Sequence, residues 1–279
     1  MDYKIIVDTS CDANKEMQEK MNISFVPFKI TVDNTEFIDD ENFNKEKFLN
    51  MMSGSKSPIR TSCPSPYDFL EKLEQAKENN IFILTISKHV SGSFQSANIA
   101  KDDFLSTHKD KRVCVIDSES ASAGTVSVLI RLHNLINKGL SFDEIVNAME
   151  NEVIENKTFF ILESLNNLIK NGRIKKTAGL IANVLNIRPI MTENRGEIIL
   201  YEMNRGFKKS LSKLANALGE VASNLEERTL VISHVNAFDK AKDFEKKVKE
   251  LYKFKDILIL DTKGLSSGYA DEGGIVIGF

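Results

Sequence analysis

The sequence predicts an α/β fold with two domains, the first of which is a mostly parallel sheet with covering helices. Three apolar, β-branched runs carry this prediction: Lys4–Ser10, Ile81–Ile86 and Arg112–Asp117. Each run ends in small polar residues and is followed by a segment with helical periodicity. Strand, loop and helix repeated in this order are typical of parallel strands with helices packed on the sheet.

Capping residues and apolar periodicity locate the helices of the first half. Ser65 and Pro66 supply an N-cap and a proline at the first helical position, and Ser141–Glu144 is a capping box. The other helices are predicted over Asn14–Met21, Asn44–Met52, Phe94–Leu105 and Thr125–Lys138.

A hairpin and a long loop interrupt this alternation. Ile23–Val32 and Thr35–Ile38 are predicted to pair as strands, with Asp33-Asn34 as the turn. The segment Ser53–Pro66 is dense in serine, proline and glycine, which predicts a loop.

The pattern changes near Thr158, where we place the boundary between two domains, 1–155 and 156–279. The second domain is predicted to hold a mixed sheet, because a hairpin turn at 194–196 interrupts the strand and helix signals. Its strands are predicted over Phe159–Leu162, Ile187–Thr192, Glu197–Met203, Thr229–Ser233, Asp256–Leu260 and Ile275–Phe279. Its helices are predicted over Ser164–Lys170, Thr177–Leu185, Phe207–Glu226 and Ala237–Leu251.

Composition narrows the classes of function. The formal net charge of −3 is spread over interspersed acids and bases, so no nucleic-acid partner is expected. The three cysteines, Cys11, Cys63 and Cys114, show neither a metal-binding nor a disulfide spacing, which suits a reducing cytosol. The start of the chain lacks the pattern of a leader, and no apolar run approaches the ~20 residues that span a bilayer. We therefore expect a cytoplasmic protein.

Hydroxyl-bearing residues gather in four short segments. Three follow predicted strands, at Asp8–Ser10, Ser91–Ser96 and Asp117–Ser122, and the fourth is Thr61-Ser62 in the proline-rich loop. Ligands of open α/β sheets bind at the carboxyl ends of the strands, and hydroxyls beside helix N-termini suit a carboxylate or phosphate. The alternative is that each residue only caps the helix behind it.

Catalytic motifs are not evident. The sequence contains neither a nucleophile elbow nor a glycine-rich nucleotide-binding motif, and its four histidines show no metal-ligand spacing, so we assign no catalytic or metal residue. His89 is the one histidine near the serine-rich loops, and a pair with Ser91 or Ser93 would make an acyl or phosphoryl transferase or hydrolase. That enzyme remains the alternative to an anion-binding protein.

Several segments resemble the DegV family of fatty-acid-binding proteins. Thr61–Pro66 resembles the family's T-S-Q-P-S-P loop, and Val90–Ala97 is similar to its S-G-T-Y-Q-S-A segment. The likeness continues in order along nearly the whole chain, at Val7–Asp12, Asp117–Gly124, Leu162–Ile174, Ile187–Ile190 and Asn204–Lys209.

This resemblance implies a carrier without turnover of its own and without a cofactor. Its ligand would be one long-chain fatty acid, such as palmitate, held in an apolar tunnel between the two domains. It would present the carboxyl group to a separate fatty acid kinase, in lipid transport or fatty acid metabolism, with transient membrane contact for loading. A different anionic lipid or a small phosphorylated ligand is the remaining alternative.

The resemblance also assigns residues. Thr61 and Ser93 would hydrogen-bond the carboxylate, whereas Arg173 would belong to a structural turn. Neighbours of the head group would be Ser62, Arg205, Lys263 and Ser266.

Two departures from the family pattern concern the head group. Many members carry a histidine in a G-T-H-x-G-P-G loop, but Asp261–Gly274 contains none. We expect Lys263, Ser266 or Ser267 to supply the missing donor. Cys63 stands where glutamine is usual.

Overall fold

A computed structural model describes residues 2–174 and 186–279 and places their strands in three sheets. The first sheet has the order β2-β1-β6-β7, and all its strand pairs are parallel. Apolar residues fill the buried positions of its two central strands except at their last residues, Asp8 and Thr85, because helices cover the sheet. The strands are β1 (Tyr3–Asp8), β2 (Ile23–Val26), β6 (Asn80–Thr85) and β7 (Arg112–Asp117).

The second sheet is mixed and has six strands in the order β10-β9-β8-β13-β11-β12. Strands β11 and β12 are parallel, and every other neighbouring pair is antiparallel. Arg195 and Gly196 have positive φ angles of 52° and 85° at the β9–β10 turn. The strands are β8 (Thr158–Ile161), β9 (Ile190–Asn194), β10 (Glu197–Glu202), β11 (Thr229–His234), β12 (Asp256–Asp261) and β13 (Ile275–Gly278). The predicted α/β fold with a parallel and a mixed sheet is confirmed.

The third sheet is small and antiparallel, with β3 (Lys29–Val32) between β4 (Thr35–Ile38) and β5 (Arg60–Ser62). It corrects two predictions. Ile23–Val32 is not one strand, because the chain leaves the parallel sheet at Pro27 and begins β3 two residues later. The segment predicted as a loop contains β5, which pairs Thr61 with Ile30.

Ser65 and Ser141 are N-caps as predicted, and Asn14 and Asn44, predicted as the first residues of their helices, are N-caps as well. Asn14, Asn44, Ser65 and Ser141 each accept a hydrogen bond from a backbone N–H of the first turn. The first seven helices are α1 (Lys15–Lys20), α2 (Lys45–Gly54), α3 (Pro66–Gln75), α4 (Ser93–Thr107), α5 (Ala123–Asn137), α6 (Phe142–Glu155) and α7 (Asn166–Lys170). The later ones are α8 (Phe207–Val221), a 3₁₀ turn (Leu225–Glu227), α9 (Phe238–Leu251) and α10 (Gly264–Ala270).

One described helix of the second half was missed by the sequence prediction. Helix α10 lies in the glycine-rich tail, where no helix was predicted. The sequence contains no local signal for it, because the partners that stabilise its first turn are far away in the chain. The predicted helix Thr177–Leu185 lies outside the described residues. Among the helices that the structure describes, none is long and apolar enough to cross a membrane.

Helix α5 connects the two halves of the chain, which we take as the residues up to 155 and the residues from 156 onwards. It packs on β6 of the parallel sheet and on β8, β11 and β13 of the mixed sheet, and eleven of its residues are buried. The approach to β13 is close, because a Cβ atom on Gly278 would lie 2.5 Å from the Ala123 carbonyl oxygen and 2.5 Å from Gly124 Cα. The predicted boundary between residues 155 and 156 follows α6 and stays a prediction.

Gly278→Ala should destabilise the protein by roughly 1–3 kcal/mol, the usual penalty for overpacking, because the new methyl group would meet backbone atoms. Urea denaturation followed by circular dichroism measures the change. Gly54→Ala is the matched control, since no atom lies within 4 Å of the position that its new methyl group would take and alanine favours the helix. Equal stability of the wild type and Gly278→Ala would contradict the close contact.

Candidate functional site

A cavity of about 360 Å³ lies between the two halves of the chain. Its volume falls within the roughly 300–1,000 Å³ of typical small-molecule sites. The first half contributes β5 and the loops after β1, β6 and β7, whereas the second half contributes β8, β10, β13, α7 and α10. The ends of the parallel strands therefore meet the face of the mixed sheet across this space.

Much of the cavity wall is apolar. The side chains come mainly from the mixed sheet and from the helices beside it, and most of them are buried. They include Phe28, Phe160, Leu162, Leu168, Ile198 and Val276. Such a wall favours a ligand with a hydrocarbon portion.

All four hydroxyl-bearing segments singled out in the sequence contribute to the same cavity. Ser10, Ser91 and Ser120 represent the three segments after strands, and Thr61 represents the fourth. For the three segments after strands, the clustering follows from topology, because the carboxyl ends of parallel strands lie at one edge of the sheet. Thr61 joins them from β5 of the small antiparallel sheet.

One side of the cavity reaches solvent. Ser62 and Gly92 are the exposed residues of the described lining, whereas Ser10, Ser120 and Ser122 are buried. The segments that carry Ser62 and Gly92 touch, since a Cβ atom on Gly92 would lie 3.3 Å from the Sγ atom of Cys63.

Thr61 lies on the cavity wall beside this exposed side. It is half-buried at the middle of β5, where its backbone pairs with Ile30. The Thr61 Oγ1 and Tyr269 Oη atoms are 2.9 Å apart, and either hydroxyl can donate. The sequence analysis did not single out Tyr269, because no local pattern links α10 to β5.

Ser93, the other residue predicted to hold a carboxylate, is not part of the cavity lining. It is fully buried at the start of α4, and its hydroxyl donates to Asp8 Oδ2 at 2.6 Å. Asp8 also accepts from the backbone N–H groups of Ser10 and Ile86. Burial raises the pKa of Asp8, and these hydrogen bonds oppose that rise.

The remaining predicted neighbours fall in different places. Ser62 and Ser266 line the cavity. Lys263 and Arg205 do not: the Lys263 ammonium group lies 4.1 Å from the centre of the Phe25 ring, and Arg205 is exposed. Arg173, which was expected only in a turn, lines the cavity, and its Nε donates to the Val90 carbonyl at 3.1 Å.

Two buried carboxylates of the first half hold the N-terminus of α10. Asp39 accepts from the Gly264 N–H at 2.7 Å and from the Leu265 N–H at 2.9 Å, while Asp12 accepts from the Lys263 N–H at 2.8 Å. Burial raises the pKa of Asp39 to about 6, although the two N–H groups favour its charged form.

Two acidic residues of the lining were also missed by the sequence analysis. Glu119 pairs with Arg195 at 3.0 Å, and Glu193 accepts from the Gly196 N–H. Burial raises the pKa of Glu193. Ser87 donates to the Gly196 carbonyl at 2.8 Å, so this part of the wall joins the β6 loop to the β9–β10 hairpin.

Among the described residues, the serines that the sequence offered as nucleophiles are not paired with His89. The His89 ring lies 3.9 Å from Glu197, and neither Ser91 nor Ser93 hydrogen-bonds to it in the described part of the chain. A search of residues 2–174 and 186–279 finds no group of histidine, cysteine and acidic side chains that could hold a metal ion.

A family model described as an uncharacterised protein of the DegV family matches residues 2–279. A DegV domain-containing protein of Streptococcus pneumoniae is 36% identical over 283 residues, covering 100% of this chain and 99% of that protein. The protein belongs to the DegV family. The resemblance seen in the sequence is therefore confirmed.

Solved DegV structures share the whole fold. A Ruminococcus gnavus protein, refined with vaccenic acid, has a TM-score of 0.94 at 33% identity, with 99% of both chains covered. The Streptococcus pneumoniae fatty acid kinase (Fak) B3 protein, loaded with linoleic acid, has a TM-score of 0.90 at 33% identity, covering 100% of this chain and 99% of that chain. An Eubacterium eligens protein loaded with heptadecanoic acid has a TM-score of 0.91 at 31% identity, covering 99% and 98%.

In this DegV protein, Asp39 should make stability fall as the pH rises from about 4 to 6. The folded state keeps the Asp39 proton up to a pKa of about 6, whereas the unfolded state loses it near the ordinary value of 3.8. At about 1.4 kcal/mol per pH unit, the wild type should lose about 3 kcal/mol relative to Asp39→Asn across this range.

Urea denaturation of both proteins at several pH values measures this difference. Subtracting the two curves removes the carboxylates that they share, and only the slope of the difference reports on Asp39. A difference that stays constant between pH 4 and 7 would contradict the raised pKa.

Proposed function

We propose that the protein binds one long-chain fatty acid, such as palmitate, with its hydrocarbon chain in the cavity between the two halves. The observation that carries this proposal is a cavity, open to solvent on one side, that combines an apolar wall with a cluster of hydroxyl groups. The three fatty-acid-loaded relatives, each more than 30% identical over nearly the whole chain, support it.

Burial of the hydrocarbon chain supplies most of the affinity. Each methylene removed from water contributes about 0.8 kcal/mol, so a chain of ~16 carbons gains on the order of 10 kcal/mol. The polar contacts can therefore be weak and still fix the orientation of the ligand. Binding of this kind requires neither a metal ion nor a charged clamp.

The carboxylate lies at the side of the cavity that reaches solvent. Thr61 and Tyr269 present hydroxyls there, and Arg173 is the positively charged residue of the described lining. The part of the wall formed by Glu119 and Glu193 suits a carboxylate less, because these acidic side chains would repel it. Ser62 and Gly92 then border the opening through which the head group is reached.

Presentation of this carboxyl group to a fatty acid kinase is the biological role that we propose. The likeness to the fatty acid kinase (Fak) B3 protein of Streptococcus pneumoniae supports it. Neutral hydroxyl donors hold one carboxylate oxygen and leave the other free to attack a phosphate. The protein itself acts as a carrier, and exposed Arg205 belongs to the surface that the kinase would meet.

Denaturing mass spectrometry of the freshly purified protein should release a fatty acid of about 14–18 carbons, because the apolar wall retains the chain through purification. The stoichiometry should approach one acid per chain. Recovery of no lipid, even after incubation with palmitate, would refute the proposed function. Release of a phosphorylated ligand instead would favour the alternative of a different anion.

Thr61→Ala and Ser93→Ala should have different effects, since only the Thr61 hydroxyl faces the cavity. Thr61→Ala should weaken palmitate binding by ~1 kcal/mol and slow kinase-dependent formation of acyl phosphate more strongly. Ser93→Ala leaves buried Asp8 without one donor, so it should lower the free energy of unfolding by about 1–3 kcal/mol.

Palmitate titration, a coupled kinase assay and urea denaturation separate these effects. Ser96→Ala, also on α4 but outside the cavity lining, is the matched control for Ser93→Ala. If Ser93→Ala weakens palmitate binding as much as Thr61→Ala without loss of stability, Ser93 contacts the carboxylate directly, as the family resemblance predicts.

A further inference from the structure

The Thr61–Tyr269 pair joins two residues that are 208 positions apart in the chain, both of them on the cavity wall. Both are half-buried, and their oxygens are 2.9 Å apart. We propose that Tyr269 is a positioning residue for the fatty-acid head group, which it orients through the hydroxyl of Thr61. This inference rests on the proposed function and names a residue that completes its site.

The numbers of protons and lone pairs on the two hydroxyls favour this arrangement. Each hydroxyl offers one proton and two lone pairs. When Thr61 Oγ1 donates to the carboxylate, its oxygen can still accept the proton of Tyr269. The tyrosine then fixes the rotamer of Thr61 and directs the threonine proton towards the ligand. A hydroxyl that accepts a hydrogen bond is also a stronger donor, because chained hydrogen bonds polarise one another.

The position of Tyr269 is fixed from several directions. Asp39 holds the first turn of α10, and Asn167 Nδ2 donates to the Gly268 carbonyl at 2.9 Å. The absence of a side chain at Gly268 lets α10 approach β5, because a Cβ atom there would lie 2.7 Å from Cδ1 of Ile59. The tyrosine ring is therefore held against the strand that carries Thr61.

The other polar groups near the head group have different partners. Ser266 lies close to Asp12 and helps to lower the pKa of that carboxyl, whereas the Ser93 hydroxyl donates to Asp8. The ammonium group of Lys263 lies over the Phe25 ring. Tyr269 is the α10 side chain whose hydroxyl hydrogen-bonds to Thr61. It therefore takes the place of the histidine that many family members carry near the head group, and it adds no charge.

Titration of bound palmitate tests the proposal on the full chain. Hydrogen bonds to a carboxylate stabilise its charged form, so weakening the bond from Thr61, by removing the hydroxyl that orients it, raises the pKa of the acid. With [1-¹³C]palmitate as the probe, Tyr269→Phe should raise the carboxyl pKa in the ¹³C spectrum by roughly 0.5–1 pH unit. The dissociation constant should change less than about fivefold, since the hydrocarbon chain dominates binding.

A double-mutant cycle separates positioning from direct contact. If Tyr269 acts through Thr61, the Thr61→Val protein and the Thr61→Val/Tyr269→Phe protein should show the same carboxyl pKa. Tyr67→Phe makes the same chemical change at a tyrosine that is 72% exposed and outside the cavity lining, and it should leave the pKa unchanged.

Three outcomes would overturn the proposal. If bound palmitate keeps its wild-type carboxyl pKa in the Tyr269→Phe protein and only the stability of that protein falls, the hydrogen bond merely holds α10 against β5. Additive effects in the cycle would mean that Tyr269 contacts the carboxylate itself. Failure of the wild type to retain palmitate would overturn the proposed function as well, which distinguishes that result from the other two.

Discussion

The docking of α10 on two buried carboxylates of the first half is the interaction on which the site depends. Asp12 and Asp39 accept hydrogen bonds from Lys263, Gly264 and Leu265, the residues that open this helix. Helix α10 provides part of the cavity wall, and it positions Tyr269 beside Thr61. Without these contacts, the glycine-rich tail would have little reason to form a helix, since a short isolated helix is unstable in water.

Burial of these carboxylates opposes folding, and the hydrogen bonds compensate only in part. Burial raises the pKa of Asp39 to about 6 and also raises the pKa values of Asp8 and Asp12. What these hydrogen bonds add is a defined geometry. A carboxylate accepts several hydrogen bonds in defined directions, so Asp39 sets the register of α10 and Asp8 sets the start of α4. A purely apolar contact would leave both helices freer to slide.

Local patterns in the sequence predicted most of the elements, because caps, turns and strand runs are short-range features. Ser65, Ser141 and the Arg195-Gly196 turn behave as predicted. Helix α10 and strand β5 were missed for the opposite reason: each depends on contacts with distant residues. Of the site, the sequence supplied the four hydroxyl-bearing segments, and the parallel topology explains why the three that follow strands meet.

The roles within those segments could not be predicted in the same way. Ser93 and Thr61 are both hydroxyl residues in matching loops, yet Ser93 hydrogen-bonds to Asp8 and Thr61 faces the cavity. Which way a hydroxyl points depends on the acceptor nearest to it, and Asp8 lies 85 residues from Ser93. Tyr269 had no local signal at all, because its partner belongs to the opposite half of the chain.

In the proposed carrier, the hydrocarbon chain and the head group of the ligand contribute differently to binding. If the hydrocarbon chain provides the affinity, the head group needs only enough hydrogen bonding to fix its direction. A buried charged clamp would bind the carboxylate more strongly, but it would also draw electron density from the oxygen that attacks a phosphate in the proposed function. A threonine oriented by a tyrosine directs one proton at the carboxylate and leaves the second oxygen free. The neutral pair therefore suits the proposed carrier, whose ligand would react while it is still bound.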